Sequence, residues 1–206
     1  MENLGKRLLL ILVAVGAFLC VRQGLHVFQE HTTAAQVSES ADQLKSDAAK
    51  HNPGVPAALA IQREGIAKAD EMMKNAPDDR TRRQNAAGTF YGFYFVNTRS
   101  RVDYCKEQGS DIQPFVTIFQ GNHVNELAAA RAILAEIGTD EETLYTQIKP
   151  QLRDLLNTDM KFIADAGKTD AKGACELIIA RADVLAGQMQ LSKVQPMVER
   201  VLMAGK

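Results

Sequence analysis

Apolar residues recur at helical spacing along most of the chain, and no stretch shows the strict alternation of a half-buried strand. Aromatic residues make up only 6% of the sequence and Trp is absent, a composition that favours helices over a β-sandwich or barrel. The pattern predicts an all-α fold, an antiparallel bundle or array of about six helices with short connections. The predicted helices cover residues 57–75, 80–108, 112–137, 140–167, 170–189 and 192–202.

The predicted helix at 80–108 is the most apolar of these. Its residues are apolar from Ala86 to Val96, interrupted only by Thr89. That run is too short to cross a bilayer. A helix that is apolar around most of its circumference is normally buried, so we expect this one at the centre of the domain.

Local signals predict several helix ends and one distortion. The helix at 112–137 carries one unbroken apolar stripe and ends at Gly138. Thr139 and Glu142 have the spacing of a capping box, which predicts Thr139 as the N-cap of the next helix. Pro150 lies within that helix and is predicted to kink or split it.

A separate apolar segment lies near the N-terminus. Lys6 and Arg7 precede an apolar run over residues 8–21, and Arg22 closes the run. This is the pattern of a secretory signal or a signal anchor. The run is shorter than the roughly 17–25 residues of a spanning helix, although flanking apolar residues and a snorkelling Arg22 extend it.

The positive charges before the run predict that the N-terminus stays in the cytoplasm and the remainder is translocated. No convincing signal-peptidase site follows the run, so residues 1–30 are predicted to be an uncleaved, single-pass anchor in the bacterial inner membrane. Two alternatives remain open: a cleaved signal that leaves a soluble periplasmic protein, and lipidation of Cys20. In each of them the rest of the chain faces the periplasm.

The predicted domain organisation has three parts. Residues 1–30 form the anchor, residues 31–52 a weakly apolar helical stalk, and residues 53–206 the periplasmic helical domain. The segment 51–56 reads His-Asn-Pro-Gly-Val-Pro and is the strongest helix breaker in the chain, which places the boundary between stalk and domain there.

Two of the three cysteines belong to the predicted exported part. Cys105 and Cys175 have no neighbouring cysteine at redox-motif spacing and no close cluster of metal ligands. Cysteines in an oxidising compartment are more often paired than free. The sequence therefore predicts a structural disulfide between Cys105 and Cys175.

Three groups of residues are candidates for function, and each also has a structural interpretation. His123 is a titratable group on an apolar stripe, with Glu126 one turn later. It forms half of an acid–base or metal site, or it is a core histidine held by hydrogen bonds. Arg80, Arg83 and nearby arginines form a basic cluster that either binds lipid headgroups, an acidic glycan or an acidic partner, or is a solvated face with helix pairs such as Asp79 with Arg83. The acidic stretch 136–142 would suit the cluster as an internal partner.

The third group consists of polar side chains on the predicted central helix. Tyr94, Asn97 and Arg101 either line a small-molecule pocket or satisfy one another across helices. These three residues, together with His123, Arg80 and Arg83, are the positions at which we expect a ligand or partner to bind.

The sequence contains no catalytic motif to which a reaction can be assigned. It has no Gly-rich phosphate loop after a strand, no Gly-x-Ser-x-Gly, no His-Glu-x-x-His and no Cys-x-x-Cys. Lys and Arg number 24 against 25 Asp and Glu, and this balance argues against nucleic-acid binding. We therefore expect no cofactor and no catalytic or metal-binding residues. The expected function is that of a membrane-tethered binding or assembly module with a protein partner at or near the membrane. The alternatives are a His123-centred enzyme or metal-dependent protein, and a cleaved, soluble periplasmic binder or inhibitor.

Overall fold

A computed structural model describes the backbone of residues 34–204 and the side chains from residue 41 onward. The predicted anchor at residues 1–30 lies outside the described residues. Within 34–204 there is no strand, and the predicted all-α helical array is confirmed. The helices are α1 Ala34–His51, α2 Ala57–Asn75, α3 Asp79–Phe95, a π-helical turn Val96–Ser100, α4 Arg101–Glu107, α5 Gln113–Asn122, α6 Val124–Glu136, α7 Glu141–Gly167, α8 Ala171–Ala180, α9 Ala182–Gln188, α10 Leu191–Val194 and α11 Pro196–Met203.

Helix α3 is at the centre of the array. Every residue from 85 to 97 is buried, including the polar Asn85, Thr89 and Asn97. Helices α2, α6, α7 and α11 pack around it, and α7 also contacts the π-helical turn that follows α3. The expectation of a central helix is therefore correct, and the apolar run at 86–96 is the sequence feature that produces it.

The predicted helix at 112–137 is in fact two helices that meet at His123. The His123 amide donates to the carbonyl of Gln120, three residues back, at 3.1 Å. The carbonyl of Phe119, which a continuous helix would bond to that amide, instead lies 2.7 Å from Nδ1 of His123. The His123 side chain thus takes the Phe119 carbonyl that the His123 amide would use in a continuous helix. As a result α5 ends, and α6 begins after one irregular residue. The predicted helix at 170–189 is also interrupted, at Arg181, whose amide donates to the carbonyl of Ile178, three residues back.

The predicted N-cap of α7 is wrong, and of the kink or split predicted at Pro150 the split does not occur. The N-cap of α7 is Asp140, whose carboxylate accepts the Thr143 amide at 2.7 Å, and not Thr139. Asp is as good an N-cap as Thr, and Glu142 instead pairs with an arginine of the π-helical turn. Pro150 does not split α7, which continues through it because buried residues on both sides of Pro150, among them Ile148 and Leu152, hold the helix on the core.

Helix α1 covers most of the segment that the sequence assigns to a stalk. Ala41, Leu44 and Ala48 are buried, and α1 packs against α2 and α7. Lys45 forms an ion pair with Asp154 of α7. The second half of α1 therefore packs on the helical array, while the division of the chain at residue 53 stays a prediction. No helix within 34–204 is both long enough and apolar enough to cross a membrane.

The predicted disulfide is confirmed. Cys105 of α4 and Cys175 of α8 are bonded and fully buried, with their Cα atoms 5.6 Å apart. Helix α8 follows α7 in the chain and packs against it, so the bond ties α4, at the end of the central helical segment, to a helix that packs on α7.

We expect that replacing both cysteines, Cys105→Ala with Cys175→Ala, lowers the free energy of unfolding by about 4 kcal/mol. The bond closes a loop of about 70 residues, and the unfolded chain without it gains the corresponding entropy. Urea unfolding under non-reducing conditions measures the loss. Cys20→Ala is the control and should leave the domain's stability unchanged; equal stability of the double variant and the wild type would contradict the structural role.

Candidate functional site

His123 lies in an aromatic cage at the corner between α5 and α6. Its side chain is fully buried, and its ring centroid is 4.3 Å from that of Phe119, 5.5 Å from that of Phe93 and 6.3 Å from that of Phe90. Nδ1 donates to the Phe119 carbonyl. Nε2 has no partner that meets hydrogen-bond geometry, although the Met189 backbone is close enough to affect its protonation.

This cage favours the neutral imidazole. Desolvation lowers the pKa of His123 below 6.5, and the contacts with Phe119, Glu126 and Met189 oppose that shift without reversing it. Glu126 acts only through its charge and forms no hydrogen bond with His123. Residues 34–204 contain no group of three or more His, Cys, Asp or Glu side chains placed to hold a metal ion. His123 thus has the environment of a hydrogen-bonded core histidine.

The most completely buried charges of the described residues form an ion pair at the π-helical turn. Arg101 and Asp159 of α7 are joined at 2.8 Å, with their side chains 1% and 0% exposed. Arg101 Nε donates to Asn97 Oδ1 at 3.3 Å, and Nη1 contacts the sulfur of Met160. Asn97 in turn donates to the Phe93 carbonyl at 2.8 Å. Arg101 and Asn97 are predicted to contact a ligand or partner. In the structure they bond to each other, and Arg101 also bonds to Asp159 of α7, inside the core.

Asp159 is the partner that the sequence reasoning missed. A signal was present, because Asp159 falls at helical spacing among the buried Leu152, Leu155, Leu156 and Ile163 of α7. A carboxylate on such an apolar stripe needs a buried cation. Burial raises the pKa of Asp159, and the Arg101 guanidinium works against that rise.

The tyrosines of α3 connect the core to the surface. Tyr94 is buried, and desolvation raises its pKa, while the side chain of Gln120 hydrogen-bonds to it. Tyr91 donates its hydroxyl to Glu141 at 3.1 Å, and burial followed by the Glu141 charge raises the pKa of Tyr91. Glu141 also accepts from Arg131 at 2.6 Å.

The arginines of the predicted basic cluster lie in different surroundings. Arg80 is exposed at the first turn of α3, and Arg83 is bonded to Glu136 at 3.3 Å. Arg99 is bonded to Glu142 at 2.6 Å. The acidic stretch at 136–142 thus supplies internal partners to Arg83 and Arg99, as the structural interpretation of the cluster expected.

A surface cleft of about 380 Å³ lies between the π-helical turn, the end of α6 and the start of α7. We call it the arginine cleft, because Arg99 and Arg131 come to it from two different elements. Its remaining lining residues are Leu134, Ala135, Thr139, Asp140, Glu141 and Glu142. Arg131 is not among the predicted site residues, because nothing local to α6 distinguishes it from an ordinary surface arginine.

Replacing one partner of the buried pair should be far more damaging than replacing both. We expect Arg101→Met to lower the free energy of unfolding by about 3–5 kcal/mol, because it leaves the Asp159 carboxylate buried without a counter-ion. The double variant Arg101→Met with Asp159→Leu should recover most of that loss. Denaturant unfolding of the two variants provides the measurement, and equal destabilisation of both would show that the pair itself is not the source of the loss.

Acid should destabilise the domain through His123. Its pKa is lower in the folded state than the 6.5 of an ordinary histidine, so the unfolded chain binds the proton more tightly. The contribution to stability is complete above about pH 6.5 and is lost as the pH falls towards the lowered folded value. We expect His123→Gln to remove this part of the pH dependence, measured as unfolding free energies at pH 5 and pH 8. An identical pH dependence in the variant would contradict the assignment to His123.

No protein-family model, no curated protein and no solved structure matches the chain.

Proposed function

We propose that this chain is a membrane-tethered, exported helical module that binds or assembles with a protein partner at or near the membrane. Its domain faces the periplasm, and its N-terminal segment is the tether in the bacterial inner membrane. The observation that carries the proposal is the buried bond between Cys105 and Cys175, since structural disulfides form and persist in oxidising compartments. The charged and apolar pattern of residues 6–22 supports the same location independently.

The burial and pairing of the candidate side chains support a binding function over a catalytic one. His123 is caged by aromatic rings, and Arg101 is paired with Asp159 in the core. The groups that meet solvent are instead arginines and carboxylates around the arginine cleft and along α3. Such surface groups position a partner through charge and hydrogen bonds.

Export predicts the redox state of the cysteines in the cell. We expect the full chain to hold Cys105 and Cys175 oxidised, whereas a variant lacking residues 1–30 should accumulate in the cytoplasm with both thiols reduced. Alkylation with a polymer-linked maleimide in bacterial cells, followed by a non-reducing gel, distinguishes the two states. Cys20→Ser is introduced into the full chain so that both chains carry the same two thiols.

Membrane fractionation and intact-mass analysis of the full chain test the tether. Retention of the complete chain in the membrane fraction is the expected result. A mature protein that begins between about residues 20 and 36 would replace the tether with a cleaved signal, and reduced thiols in the full chain would overturn export itself. Crosslinking in intact membranes then identifies proteins held by the tethered chain but not by its truncated form.

A further inference from the structure

Arg99 is held rigidly at one wall of the arginine cleft. Its guanidinium carbon lies 4.8 Å from the ring centroid of Phe95 and 4.7 Å from that of Tyr145. Contacts with two rings fix the plane of the guanidinium and leave its edges to make hydrogen bonds. Arg99 belongs to the π-helical turn, a distortion that is frequently found at functional sites.

Both arginines of the cleft keep donors for a ligand. A guanidinium carries five N–H groups. Arg99 gives one nitrogen, Nη1, to Glu142, and Arg131 gives Nε and, at 3.5 Å, Nη2 to Glu141. The side chain of Glu142 is 75% exposed, so its ion pair with Arg99 is weak and readily exchanged.

The charges around the cleft are nearly balanced. Two guanidinium groups face three carboxylates, those of Asp140, Glu141 and Glu142. A simple anion would be repelled by the carboxylates and a simple cation by the arginines. A molecule with one charge of each sign satisfies both sets, and Leu134 and Ala135 offer an apolar surface beside them. The volume of about 380 Å³ is near the lower limit for ligand pockets and suits a small molecule.

We propose that the arginine cleft binds a small zwitterionic ligand with an apolar side chain, of the class of free amino acids and short peptides. Arg99 and Arg131 hold the ligand carboxylate, the exposed carboxylates of Asp140 and Glu142 hold its ammonium group, and the side chain lies on Leu134 and Ala135. This inference rests on the proposed binding function and goes beyond it, because it adds a small ligand to the protein partner proposed above.

Ligand-observed saturation-transfer NMR on the full chain in detergent micelles tests the site. The probes are leucine, the dipeptide leucyl-leucine, N-acetyl-leucine and leucine amide. Leucine or the dipeptide should bind at least tenfold more tightly than both blocked forms, because each blocked form leaves one set of charges in the cleft without its partner. Tighter binding of leucine indicates a free amino acid as the ligand, and tighter binding of the dipeptide indicates a peptide.

Two substitutions within the cleft and one matched control outside it complete the test. Arg99→Gln and Arg131→Gln should each weaken binding of the favoured probe at least tenfold. Arg153→Gln should leave binding unchanged, although Arg153 also stacks on a tyrosine, Tyr104, and pairs with a glutamate, Glu107. The side chain of Arg131 is 59% exposed, so Arg131→Gln is expected to fold. It therefore still tests the site if circular dichroism shows that Arg99→Gln is unfolded.

Absence of binding by the wild type, equal binding of the blocked probes, or equal weakening by Arg153→Gln would each overturn the proposal. None of these results bears on membrane retention or on the oxidised cysteines. Failure of the zwitterion site is therefore distinguishable from failure of the proposed tethered function.

Discussion

Helix α3 carries buried side chains around its whole circumference, so each of its faces must be covered by another helix. Helices α2, α6, α7 and α11 supply that cover, and the aromatic rings of Phe90, Phe93 and Phe95 form much of the contact. Because interiors are close-packed, the position of α3 restricts where the surrounding helices can lie. The arginine cleft is one consequence, since it opens where α6 ends and α7 begins beside the continuation of α3.

One arginine lies inward and another outward at the π-helical turn that follows α3. Residues two apart on a helix lie on nearly opposite faces. Arg101 faces the core and meets Asp159, while Arg99, two residues earlier, lies against Phe95 and Tyr145 at the edge of the cleft. The buried pair is costly to desolvate, and the direct contact between Arg101 and Asp159 offsets that cost.

His123 and Arg101 illustrate two ways of placing a polar group in this core. The imidazole is desolvated, which lowers its pKa, and its Nδ1 donates one hydrogen bond to the Phe119 carbonyl where α5 ends. The guanidinium remains charged and requires a carboxylate from another helix. Both residues are candidates for chemistry because they are polar within apolar patterns, and each forms a hydrogen bond or an ion pair inside the core.

The sequence alone was enough to predict the all-α class, the central helix at 80–108 and the disulfide between Cys105 and Cys175. Those features depend on local periodicity or on the small number of cysteines available for pairing. The break at His123, the N-cap at Asp140 and the continuity of α7 through Pro150 required the tertiary structure, because competing local signals are decided by packing. The pairing of Arg101 with Asp159 and the meeting of Arg99 with Arg131 also required it. These residues are far apart in the chain, and only the packing of the helices around α3 brings them together.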